Sequence, residues 1–331
     1  MHKLLLNMIF FRFPFSKKIY TTDENSEEKP ISFFSFIECE TIKFNGEIKE
    51  ISINDFLNLK ISTDFIREEL VYFKEENQND YQEKLAEVID FIKENQLSKL
   101  VISRRKLIDY KGRKINFTQT FLNLCETYPN AFVYFFIKDR KSWMGAFSEI
   151  LGKFDSENSQ FETMSLAGTL PINENWTHKE IEEQKPVTNF IENILENYSE
   201  KVQQSKTYDH LSGNIKHLRT DFKAEIKAEQ LENLIAELHP TPAVCGIPKE
   251  ICKNAIEKFE SHPRKLYSGY IRVQFENKIQ YFVNLRCAEF FRNAALIYVG
   301  GGITAESSPE KEWQETELKA DSILKNLDVF E

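Results

Sequence analysis

Apolar residues recur along this chain at two spacings, and the switches between them outline its elements. Leu85, Val88, Ile89 and Ile92 stand three and four apart, which predicts a helix over about 80–96. Runs of β-branched and aromatic residues at 100–110, 131–137, 143–150 and 161–170 predict strands, the last three successive and antiparallel. Lys99 therefore falls at a helix-to-strand junction. Val187, Phe190, Ile191, Ile194 and Leu195 form the stripe of a helix over 177–199, in which Pro186 is expected to cause a kink or mark a later start. A short helix at 228–238, a proline-rich turn at 239–246 and a helix to about 259 come next. Strands at 266–275, 279–287 and 294–299 and a closing helix over 309–327 follow. Before residue 80 the pattern is weaker: a first strand over 1–15, with Pro14 near its end, and strand-like pieces at 31–36 and 41–53. No repeat or low-complexity linker interrupts 80–331, which favours one α/β unit over two independent domains, with 1–79 as a weakly patterned part of the same fold.

Composition narrows the partners. Forty-three basic residues against 52 acidic ones give a net charge of -9, which argues against nucleic acid or an anionic membrane as the main partner. With 41% hydrophobic and 29% charged residues, the chain has ample material for a packed core. The five cysteines are scattered, odd in number and without metal-type spacing, so a reducing cytoplasm is expected and a zinc site is not. The apolar start is interrupted by Asn7 and Arg12 and is shorter than the ~20 residues of a spanning helix. Glycine is scarce, 11 in 331 residues, so each one is worth reading as a backbone choice.

Three local patterns could carry chemistry. Glu180 and Glu183 lie one turn apart, on a face that continues into Val187 and Ile191, and Glu312 and Glu315 repeat the spacing on the last helix. Inward carboxylate pairs repel each other and are costly to bury without a cation, and Mg2+ suits such oxygen donors. Thr177-x-x-Glu180 is equally a capping box, and acidic pairs on solvated faces are common, so spacing alone leaves both readings open. Gly300-Gly301-Gly302 follows a strand and would let backbone amides approach an anion, although a ligand-free tight turn has the same sequence. His239, in a loop stiffened by Pro240 and Pro242, and Arg286, amid apolar neighbours, are candidates for a ligand. A structural histidine and a plain ion pair are their bland counterparts.

Eight segments in order, 99–104 (KLVISR), 145–151 (GAFSEIL), 165–169 (SLAGT), 179–187 (KEIEEQKPV), 217–220 (HLRT), 238–246 (LHPTPAVCG), 284–288 (NLRCA) and 300–319 (GGGITAESSPEKEWQETELK), resemble the chorismate-utilising enzymes, and within them the isochorismate synthases. The resemblance implies an α+β fold of two antiparallel sheets packed face to face with helices outside, 80–331 forming the chorismate-binding catalytic region. It implies Mg2+-dependent conversion of chorismate to isochorismate, with Lys99 as general base on water at C2 and Glu149 as general acid on the C4 hydroxyl. Such a division is needed because water is a poor nucleophile and hydroxide a poor leaving group. Glu180, Glu183, Glu312 and Glu315 would surround the metal. Arg286, Lys319 and the amides of Gly300, Gly301 and Gly302 would hold carboxylates, with Gly168, Thr169, His239 and Ala243 near the ring. Lys99 argues against the ammonia-using anthranilate synthases, and Ala243 stands where salicylate synthases usually carry Thr. Salicylate synthase and a catalytically silent chorismate-family protein are the alternatives. The resemblance further implies a cytoplasmic monomer without a glutamine amidotransferase subunit, feeding menaquinone or a catechol siderophore. Gln184 and Pro186 depart from the family's usual residues at their positions.

Overall fold

The apolar strand Phe132–Lys138 is buried on both faces, and that double burial sets the architecture. Alternate side chains of a strand face opposite sides of its sheet. Phe132, Tyr134 and Phe136 enter a core shared with Phe33, Ile271 and Phe282, while Val133, Phe135 and Ile137 pack against Phe117, Phe121 and Leu124. One side therefore meets a second sheet and the other a helix. The computed structural model describes residues 7–331 except Glu38, Ser62, Arg67, Gly213 and Asn214.

Among the described residues there are two large antiparallel sheets of nine strands each. The first runs, in spatial order, Gly246–Ile247, Lys99–Asp109, Ala294–Ile303, Cys287–Phe290, Lys141–Phe147, Phe132–Lys138, Asn7–Arg12, Ile19–Thr22 and Ile48–Ile51. The second runs Val202–Gln204, Ile215–Glu225, Gln160–Pro171, Ile150–Asp155, Lys278–Val283, Tyr270–Phe275, Ile31–Phe34 and Thr41–Phe44, with Tyr208–Ser212 also pairing Ile215–Glu225. Rings stack directly across the interlayer, as with Phe132 and Phe282 at a centroid distance of 4.3 Å. Helices cover both outer faces. Phe117–Thr127 and Pro309–Leu324 pack on the first sheet through Phe121, Leu124, Ala320 and Ile323, while His178–Glu196 and Leu231–Leu238 cover the second through Val187, Ile191, Leu234 and Ile235. Gln78–Glu94 and Lys249–Phe259 flank the Lys99 strand through Leu85, Val88, Cys252 and Ile256. The expected two-sheet architecture with helices outside is the one observed.

Several expected elements differ. Residues 143–150 do not form one strand: Lys141–Phe147 belongs to the first sheet and Ile150–Asp155 to the second. The 279–287 run is likewise divided, Lys278–Val283 lying in the second sheet and Cys287–Phe290 in the first. Each switch is only two or three residues long, too short to break the strand-like pattern on either side of it. The 41–53 piece also contributes one strand to each sheet. Helix His178–Glu196 runs through Pro186 without a later start, and its first turn carries the Thr177–Glu180 capping box. Of the expected first strand, Asn7–Arg12 is observed, and 1–6 lie outside the described residues. Helix Phe117–Thr127 and the strands between 202 and 225 were not anticipated by the sequence pattern. No helix among the described residues is long and apolar enough to cross a membrane.

Candidate active site

The two sheet switches lie side by side and deliver the central polar residues. Ser148 and Glu149 form the whole link between Lys141–Phe147 and Ile150–Asp155, and Asn284, Leu285 and Arg286 form the other. Backbone bonds tie the links to the strands beside them: Val283 N donates to Glu149 O at 3.1 Å and Ala146 N donates to Arg286 O at 3.2 Å. Arg286 sits at φ +44°, a left-handed conformation uncommon outside glycine, which the crossover imposes. Asn284 fixes the same link, accepting from the Tyr134 hydroxyl at 3.0 Å and donating to Leu266 O at 2.8 Å.

Around these links the cavity is lined by Lys99 and the glycines of the first sheet, by Gly168, Thr169 and His217 of the second, and by Ala243, Glu183, Glu315 and Lys319 from the covering segments. Lys99 is buried and its Nζ lies 2.7 Å from Glu183 Oε1. Arg264 holds the start of this strand, donating to Val101 O at 2.8 Å and to Val244 O at 2.7 Å while paired with buried Glu260. Gly302 makes room for the lysine pair, because a Cβ there would collide with Lys99 and stand 2.7 Å from Glu183 Oε1. The sheet bulges at the next wall: register shifts between Ala167 and Leu170, and Gly168 takes φ +70° with Glu180 packed against it.

Electrostatics separates the groups. Glu149 is only 6% exposed, and burial raises its carboxyl to about 7 although Lys99, Arg286 and Lys319 act to lower it. The site thus holds an acid able to keep its proton near neutrality. His217 is shifted the other way, well below the usual histidine value, by burial and by the charges of Arg286 and Lys319. Its Nδ1 lies 2.9 Å from Gly168 O, a pure acceptor, so Nδ1 carries the proton and Nε2 accepts from Arg286 Nη2 at 3.1 Å. Lys319 donates to Gly300 O at 2.9 Å and pairs with Glu315 at 2.6 Å. Arg286 and Lys319 therefore present positive charge to the cavity from two sides.

The four glutamates expected at a metal divide. Glu183 and Glu315 line the cavity, whereas Glu180 and Glu312 stand behind the glycines at 168 and 301. Glu180 accepts from the amide and the hydroxyl of Thr177, Glu183 pairs with Lys99, Glu312 accepts from Ser307 Oγ at 2.7 Å, and Glu315 pairs with Lys319. Among the described residues, no three acidic, histidine or cysteine side chains converge closely enough to form a metal cage by themselves. The donor set still fits Mg2+, which takes one or two protein carboxylates and fills its shell from substrate and water. Gly301 opens the strand toward those donors, since a Cβ there would stand 3.1 Å from Glu312 Oε2.

Lys99, Glu149, Gly168, Thr169, Ala243, Arg286, the three glycines and Lys319 all meet at one cavity. His239 does not join them. Its buried imidazole instead places Nε2 3.1 Å from Phe36 O and packs edge-on against Tyr270, a structural histidine of the kind its isolated sequence position also allowed. His217, Tyr267 and Ser268 line the cavity without having been assigned roles from sequence. The HLRT segment was the available signal for His217.

Fold and cavity together define a two-sheet α/β protein whose cavity is lined by acidic and basic side chains. The chain belongs to the family described as chorismate binding enzyme, which matches residues 41–328. Isochorismate synthase 2, chloroplastic, of Arabidopsis thaliana is 38% identical over 116 residues, 34% of this chain and 21% of that protein. Anthranilate synthase component 1 of Aquifex aeolicus is 25% identical over 284 residues, 78% of this chain and 56% of the relative. The matches thus span less than two thirds of either relative. Among solved structures, MenF, the menaquinone-specific isochorismate synthase from Escherichia coli, superposes with a TM-score of 0.78 at 16% identity, covering 98% of this chain and 90% of that one, a likeness of fold.

Proposed function

We propose that this protein is an isochorismate synthase that converts chorismate to isochorismate. The observation that carries the reading is a buried lysine and a buried carboxyl raised to about 7 facing one cavity flanked by cationic side chains. Lys99 takes a proton from water as its oxygen bonds to C2 of the ring. The ring double bonds shift, the bond from C4 to its hydroxyl breaks, and Glu149 supplies the proton with which that oxygen leaves as water. One water enters and one departs, so the product is an isomer of the substrate. Arg286, Lys319 and the amides of Gly300 and Gly302 orient the two carboxylates, Gly301 being ladder-bonded to Ile102, and Gly168 and Thr169 border the ring. Glu180, Glu183, Glu312 and Glu315 would surround Mg2+, one or two of them directly and the others through water, and the ion would supply positive charge for the ring carboxylate of the substrate.

The test is formation of isochorismate from chorismate by wild type and Lys99→Ala, with Mg2+ and with excess chelator. Wild type is expected to be active with Mg2+, and Lys99→Ala to lose at least about 100-fold, the scale of a removed acid–base group. Full activity in Lys99→Ala would refute the mechanism, and undiminished turnover in chelator would remove the metal. Release of pyruvate without an added lyase would make the protein a salicylate synthase instead.

A further inference from the structure

Ser148, the residue before the acid, lines the cavity with a hydroxyl that the proposed chemistry leaves unused. Its Oγ lies 2.9 Å from His210 Nε2, and His210 Nδ1 lies 3.4 Å from Arg219 Nη1. A guanidinium nitrogen can only donate, so Nδ1 bears the lone pair and Nε2 bears the proton. Asp221 fixes the guanidinium, accepting from Arg219 Nε at 2.7 Å, and also accepts from the Tyr208 hydroxyl at 2.7 Å. Burial and the charges of Arg219 and Arg286 lower His210 to about 4, so the ring is neutral at physiological pH.

The direction of this relay decides what Ser148 can do. An imidazole that gives its proton to a serine cannot also remove the serine's proton, which excludes an activated Ser–His nucleophile. With one lone pair taken by His210, Ser148 has its own O–H to offer to the cavity. The strand pairing supports the same role. His210 stands directly across from His217, and His217 holds Arg286 as His210 holds Ser148, so two adjacent neutral imidazoles each position one polar side chain of the cavity wall.

We propose that Ser148 is a substrate-binding donor and His210 its positioning residue, the serine hydroxyl taking a carboxylate or ether oxygen of the anionic ring ligand beside the group that Glu149 protonates. This rests on reading the cavity as a chorismate site.

Calorimetric titration of chorismate in excess chelator, so that the proposed Mg2+-dependent turnover does not consume it, tests this, using wild type, Ser148→Ala, Ser148→Thr, His210→Phe and the Ser148→Ala/His210→Phe double variant. Ser148→Ala is expected to weaken binding about tenfold or more, as loss of a hydrogen bond to a charged acceptor does, and Ser148→Thr to retain most of the affinity. His210→Phe is expected to weaken binding alone but to add nothing in the Ser148→Ala background. Unchanged affinity in Ser148→Ala, or an additive cost of His210→Phe, would overturn the assignment; if His210→Phe does not fold, the two Ser148 variants decide it. Turnover on the same preparations with Mg2+ restored separates the two readings. Binding without isochorismate would refute the synthase while Ser148 is still judged by affinity, and wild type that fails to bind chorismate would refute both.

Discussion

Glu149 shows how one residue can be bought for chemistry at the expense of stability. Its carboxyl is raised to about 7 because burial outweighs three neighbouring cations. An unfolded glutamate releases its proton near 4.5. The folded state therefore binds the proton more tightly, and stability from this group is full below about 4.5 and is lost as pH rises to about 7. The loss amounts to roughly 3 kcal/mol at pH 8 and under about 1 kcal/mol at pH 5. Glu149→Gln, which cannot ionise, is expected to be more stable than wild type at pH 8 by up to about 3 kcal/mol and nearly equal to it at pH 5. Urea unfolding at both pH values measures this, and a pH-independent difference would show that burial does not hold the proton. In wild type, turnover that needs the protonated acid is expected to fall above about pH 7. Nothing in the spacing around Glu149 announces any of this. The residue was legible through the family segment alone, because its burial depends on a sheet switch that local sequence does not encode.

At the scale of elements, the Lys99 strand lies between two partners that both contribute glycine, and the two glycines act differently. The atoms nearest a Cβ at Gly302 belong to the flexible end of Lys99 and to Glu183, whereas Gly246 sits at φ +121° with the backbone carbonyl of Lys99 against the place a Cβ would take. Gly302→Ala is therefore expected to keep Tm within about 3 °C of wild type while weakening chorismate binding at least about tenfold. Gly246→Ala is expected to lose more than about 2 kcal/mol in urea unfolding. Equal behaviour of the two would contradict this division. The helices with strong apolar stripes were legible in the sequence, but Phe117–Thr127 was not, carrying Thr at 118, 120 and 127 and held by the burial of Phe117, Phe121 and Leu124. Ile215–Glu225 was missed for a reason tied to function. Lys216, His217 and Thr220 are buried polar residues on it that break the apolar alternation marking a strand, and of these His217 lines the cavity. His239 was the converse case, a histidine in a recognisable segment whose neighbours make it part of the packing.

For the whole molecule, a net charge of -9 coexists with a cavity in which Lys99, Arg286 and Lys319 face Glu149, Glu183 and Glu315. The surface sets solubility and the interior sets ligand charge, and composition reads only the first. Individual strands were legible from apolar runs and the layered architecture from the family resemblance, but the order of strands was not, since runs that cross between layers look like single strands. Those crossings also make the site unequal in its tolerance of length changes. The links carrying Ser148–Glu149 and Asn284–Arg286 have no slack, and a one-residue insertion in either would turn its side chains to the opposite face and slide one sheet's register against the other. The turn at Gly112 opens onto empty space. A glycine inserted after Gly112 is expected to leave melting temperature and turnover nearly unchanged, while one inserted between Ser148 and Glu149 abolishes cooperative unfolding or turnover. Surface turns such as that at Gly112 can accordingly change length without reaching the site, but the chain length across these two links is fixed by the spacing between the sheets.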